Sequence, residues 1–147
     1  MGFLYRPLER LFGSNLAEHL RGWWENSYSE ANRFDIVGLI MLGVVAAFCL
    51  TYYFWINHPR FNRWLSWLVM LLGAAFINLG IAIVISTRGR ISPDLVEHIS
   101  FINHLGFGAA NFILSVVFFI LGSLACLYWI KLTNLGGYNC KYSPFKL

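Results

Sequence analysis

The residues of this chain that could do chemistry are few, and they sit at the edges of its apolar stretches. His58, His98 and His104 raise the possibility of haem, quinone or metal binding, and Asp94 and Glu97 lie close to two of them. Metal ligation asks for donors that converge from one turn or from facing helices. His98 and His104 differ by six positions, about 240° on a helical wheel, so they diverge. Glu97 and His104, seven positions apart, share a face, but no histidine falls well inside a charge-free run where an axial haem ligand would sit. The pattern favours interfacial histidines that bond headgroups or a partner. No cofactor and no metal is expected.

Asn78 is the polar residue placed deepest in an apolar run. Ala74, Asn78 and Ala82 are spaced by four and form one narrow helical face, small above and below an amide. Gly43 with Ala47, and Gly122 with Cys126, repeat that spacing elsewhere. Small residues let helix backbones approach, and a buried amide can bond across the contact for roughly 0.6–2 kcal/mol. Helix packing is the expected role, and lining a polar path through an oligomer is the alternative. Asn111, Ser115 and Ser123 are read as mild polar positions, the serines bonding back to their own helix. Cys49, Cys126 and Cys140 show no CxxC or paired spacing and read as two buried small residues and one tail thiol. There is no GxxxxGK[ST] loop, HExxH or GxSxG, and no pair of intramembrane carboxylates. No catalytic residue is assigned.

The elements that must position these residues are three runs, 36–56, 64–86 and 107–130, none containing Asp, Glu, Lys or Arg. Roughly 20 apolar residues at about 1.5 Å rise cross a hydrocarbon core. A backbone in lipid must satisfy its own hydrogen bonds, so each run is expected to be a helix. The fold class is therefore an all-α integral membrane protein with three transmembrane helices. With 147 residues, 58% hydrophobic and 12% charged, the chain has no room for a separate soluble enzyme module. The net charge of +4 comes without a basic cluster, so nucleic acid is not an expected partner.

Residues 1–35 form an amphipathic N-terminal segment, read as an interfacial helix pair. Leu4, Leu8, Leu11, Phe12, Leu16, Leu20 and Trp23 fall on one half of the wheel, with Arg6, Arg10, Glu18, Arg21 and Glu25 mostly opposite. Gly13 should end the first helix, and Asn15 should cap the second. Trp23, Trp24, Leu16 and Leu20 are expected to lie in the headgroup plane or to dock on a partner subunit. No cleavable leader is evident. His58-Pro59 should end span one and make spans one and two an antiparallel hairpin. Ser92-Pro93-Asp94 reads as the start of a short interfacial helix over 92–105. Gly106 and Gly108 should loosen the chain before span three, and 131–147 forms a polar tail.

Three spans place the N-terminus and the 87–106 loop on one side (A), and the short turn and the tail on the other (B). Tyr52, Tyr53, Trp55, Trp64, Trp67, Tyr128 and Trp129 crowd side B as an expected aromatic belt. Lysines and arginines nearly balance between the sides, and the cost of translocating a charged N-terminal segment tilts the reading to N-terminus inside. The membrane is expected to be a bacterial cytoplasmic membrane or an organellar inner membrane. Besides the bilayer, the expected partners are other membrane subunits or copies of the chain itself. These features point to a non-catalytic structural or accessory subunit of a respiratory, secretion or transport complex. The alternatives are a homo-oligomeric pore or membrane-perturbing effector, and a haem- or quinone-binding anchor.

Overall fold

The computed structural model describes residues 4–21, 33–56, 64–87 and 99–133, with 18, 19 and 21 described in the backbone only. Every regular element among them is helical. A 3₁₀ turn (Arg6–Leu8) leads into α1 (Glu9–Phe12) and α2 (Ser14–Arg21); then come α3 (Arg33–Leu50), α4 (Trp64–Thr87) and α5 (Phe101–Thr133). The segments Arg33–Trp55, Trp64–Thr87 and Phe101–Thr133 are long and apolar enough to cross a membrane, with mean hydropathies of 2.3, 2.6 and 2.4. The three expected spans are thus present as helices.

Span three is longer than the apolar run suggested. The expected break at Gly106 and Gly108 does not occur: both lie inside α5, which starts at Phe101 and takes in the end of the expected 92–105 helix. Residues 88–98, including the Ser92-Pro93-Asp94 start and His98, lie outside the described residues, as do Asn57, His58 and Pro59. The two glycines are needed for approach. A Cβ on Gly106 would collide with the Leu11 carbonyl oxygen and come 3.1 Å from the Phe12 Cα, and one on Gly108 would fall 2.8 Å from Ile83. Their missing side chains let α1 and α4 pack directly on the α5 backbone.

Spans one and three run parallel. Phe34 meets Phe107 edge to face near one end, and Cys49 meets Gly122 towards the other, at the same sequence offset. Span two is antiparallel to span three, since Ser86 meets His104 while Trp67 meets Ser123. The bundle has two apolar clusters. One, on side A, holds Tyr5, Phe12, Leu16, Leu20, Phe34, Val37, Ala82 and Phe107; the other, on side B, holds Val45, Cys49, Tyr52, Trp67, Ala74 and Phe119.

The N-terminal helix pair is present and folds onto the chain's own spans. Leu16 and Leu20 are fully buried in the side-A cluster, so their apolar face is occupied within the chain. Trp23 and Trp24 lie outside the described residues. Gly13, at φ 82°, breaks the pair as expected. The second helix, however, begins at Ser14, and the Gly13 carbonyl accepts its first bond from the Ala17 N–H at 3.2 Å. Asn15 therefore sits inside the first turn and is not the cap: glycine at a positive φ already turns the chain one residue earlier.

Span one ends in a π-helical turn, Thr51–Trp55, closed by the Ile56 N–H donating to the Thr51 carbonyl at 2.8 Å. The wider turn lets consecutive Tyr52 and Tyr53 both point inward, their ring centroids 5.0 Å apart. The expected side-B belt is thereby divided. Trp55, Trp64, Tyr128 and Trp129 face outward, whereas Tyr52, Tyr53 and Trp67 are core residues.

Candidate functional site

The most polar place inside the described bundle is a junction of the N-terminal segment with all three spans. Asn78 lies mid-helix in α4 and is fully buried. Its Nδ2 donates to Ser115 Oγ at 2.9 Å and, more weakly, to the Met41 carbonyl at 3.5 Å. Ser115 Oγ in turn donates to the Asn111 carbonyl one turn back on α5, at 2.7 Å. Asn111 Nδ2 donates to the Asn78 carbonyl at 3.0 Å, closing a ring of bonds between α4 and α5. Asn111 Oδ1 accepts the Tyr5 hydroxyl at 2.9 Å. Ala74 and Ala82, one turn either side of Asn78, are fully buried, so the narrow small-residue face lies at the centre of the bundle.

Each bond is explained by position. Asn111 and Ser115 are four apart, so they share a face of α5 and meet Asn78 from one side. Tyr5 arrives from outside the spans because its ring enters an aromatic cage. Phe34 and Phe107 lie 5.2 and 5.5 Å from it, and both also pack on Phe12. Burial pushes the Tyr5 phenol well above its usual pKa, so it remains a neutral donor. Among the described residues, the buried acceptor Asn78 Oδ1 has no hydrogen-bond partner.

Two further polar contacts tie span two to span three. Trp67 Nε1 donates to Ser123 Oγ at 3.1 Å near side B. Near side A, Ser86 Oγ donates to the Ile83 carbonyl at 2.9 Å, and His104 Nδ1 lies 3.1 Å from that same oxygen. The serine proton is spent on Ile83, so the imidazole Nδ1–H is the donor to Ser86. His104 is accordingly a buried tie between helices. No group of three or more His, Cys, Asp or Glu side chains that could hold a metal is found among the described residues.

The other small residues divide. Gly122 is closed by Cys49, whose Sγ lies 3.1 Å from where a Cβ would stand. Gly43 and Ala47 are exposed on the outer face of span one, and nothing lies within 4 Å of a Cβ built on Gly43. A shallow groove continues from Ala47 along Leu50, Thr51, Phe54 and Trp55. Asn78, Ala74 and Ala82 lie on one buried face of α4. The sequence pattern put no weight on Tyr5, and it treated Asn111 and Ser115 as incidental. The usable signal was that an Asn/Ser pair at i, i+4 in one span can saturate a lone amide in another.

No family model, curated protein or solved structure matches the chain, so the functional reading rests on these residues.

Proposed function

We propose that the chain is a non-catalytic structural or accessory subunit of a larger membrane assembly, of the respiratory, secretion or transport kind. The observation that carries this reading is a contrast between two small-residue faces. The face around Asn78 is closed inside the chain, with its amide spent on Ser115 and Met41. The face at Gly43 and Ala47 opens outward from span one, and among the described residues no packing atom lies within 4 Å of where a Gly43 Cβ would stand. Polar groups thus tie the bundle together, and the surface left over is apolar and suited to close approach by a helix of another subunit. A bacterial cytoplasmic or organellar inner membrane with the N-terminus inside belongs to the same proposal.

The test is the native mass of the tagged chain in mild detergent, with identification of whatever accompanies it. The expected result is a heteromeric particle from which Gly43→Leu, placed on the open face, is released. A particle containing only this chain would count against the reading.

A further inference from the structure

The N-terminal segment turns one face to the bundle and a different one to its surroundings. Tyr5 and Phe12 are buried and Leu8 and Glu9 half-buried, whereas Arg6, Pro7, Arg10 and Leu11 are exposed. Exposure at 6–7 and again at 10–11 follows the helical period, so Arg6 and Arg10 share the outward ridge. Among the described residues neither guanidinium has an ion pair or a hydrogen bond, unlike Arg33, which is engaged. The described acids do not answer them either. Glu9 is half-buried and engaged, and Asp35 at the start of α3 is engaged as well.

The bundle fixes the depth of this ridge. The Leu11 backbone rides on Gly106, one residue before the charge-free run 107–130, and the Tyr5 hydroxyl reaches Asn111 inside that run. The crossing of α1 and α5 therefore lies at the edge of the hydrocarbon core on side A. Arginines that point away from the protein at this level face lipid headgroups, not bulk water. A guanidinium held there without an acid beside it is costly until an anion joins it. Its planar fork suits the paired oxygens of a phosphate. At the same crossing Leu11 and Leu105 are 48% and 49% exposed, so apolar surface borders the two cations.

We propose that Arg6 and Arg10 bind the phosphate of an anionic phospholipid on side A, with its acyl chains along Leu11 and Leu105. Two cations facing one phosphodiester leave a surplus positive charge. A headgroup without a cation of its own tolerates that surplus, and a choline headgroup is repelled by it. The apolar half of the site selects a lipid over free phosphate. The bound lipid would also lie against the docked segment, on the side away from the Tyr5 anchor.

The experiment places the full-length chain in mixed micelles with equal amounts of phosphatidylglycerol and phosphatidylcholine, and counts the retained lipids by native mass spectrometry. The chain should keep phosphatidylglycerol over phosphatidylcholine, and an excess of inorganic phosphate should displace none of it. The double variant Arg6→Gln, Arg10→Gln should keep about tenfold less. Unchanged amide-exchange protection over residues 9–12 shows that the segment is still docked in that variant. Arg10→Gln alone, away from the Tyr5 anchor, should lower retention in the same direction, so the result does not hang on the double variant's fold. Equal retention of the two lipids, displacement by inorganic phosphate, or full retention by the variants overturns the proposal. Loss of an accompanying protein in place of lipid also overturns it, and gives the arginines to a partner subunit.

Discussion

The Tyr5 hydroxyl donates to Asn111 Oδ1 at 2.9 Å, joining residues 106 positions apart through a fully buried contact. This bond turns an amphipathic N-terminal segment into part of the membrane bundle. Tyr5→Phe keeps the ring in its cage with Phe34 and Phe107 and removes only the donor. The unpaired Asn111 Oδ1 should cost about 1–3 kcal/mol. Faster amide exchange over residues 9–12, with spans two and three unchanged, would register the loss.

The same phenol gives the docking a pH dependence of defined sign. Its folded-state pKa is raised by burial. The stability it contributes is therefore complete below its unfolded pKa of about 10, and is lost as the pH rises from there through the higher folded value. Exchange over residues 9–12 should be steady, after correction for intrinsic rate, up to about pH 10 and accelerate above it. Tyr5→Phe should flatten that alkaline arm. An unchanged arm in the variant would assign it to another group.

Asn78→Ala removes the donor shared by Ser115 and Met41 and opens space at the centre of the bundle. We expect a loss of roughly 1–3 kcal/mol, read from thermal unfolding in detergent. Asn78→Leu replaces the unpartnered Oδ1 with an apolar branch but strands the Ser115 acceptor, so it should be less harmful than Asn78→Ala. Both variants lose the same hydrogen bonds, so the reverse order would mean that the leucine side chain overfills the space Asn78 occupies.

Two glycines should answer differently to the same change. Gly106→Val places a branched side chain against the Leu11 carbonyl, in backbone that has little freedom to give, and should expel the N-terminal segment. Gly43→Val meets open space and should leave thermal stability within about 0.5 kcal/mol, the range usual for surface substitutions. Protease resistance of residues 9–21, compared between the two purified variants, separates the outcomes.

The spans were legible in the sequence because the bilayer imposes length and hydropathy together, and no soluble packing argument is needed to see them. The Ala74, Asn78 and Ala82 face was legible for a similar reason, since an amide in a long apolar helix must turn to protein. Tyr5 was not. It lies beside a charged stretch, and its burial depends on a cage built from Phe34 and Phe107, far off in sequence and invisible to any local period. Gly106 and Gly108 carried the opposite error: their helix-weakening tendency was read, whereas the deciding term was how closely α1 and α4 approach. The side-B aromatics were read by composition, and a π-turn redirected two of them.

The long-range Tyr5 contact also sets an order of events during synthesis. At about 5–20 residues per second, Tyr5 is added to the chain roughly 5–20 s before Asn111 exists to receive it. Over that interval the aromatic face of the segment has no cage to enter, because Phe107 is also still to be made. Its burial is thus a late event that requires the start of span three to be in place. A chain stalled after span two would carry Tyr5, Phe12, Leu16 and Leu20 uncovered by span three, an exposed apolar tag that distinguishes an unfinished chain from a finished one.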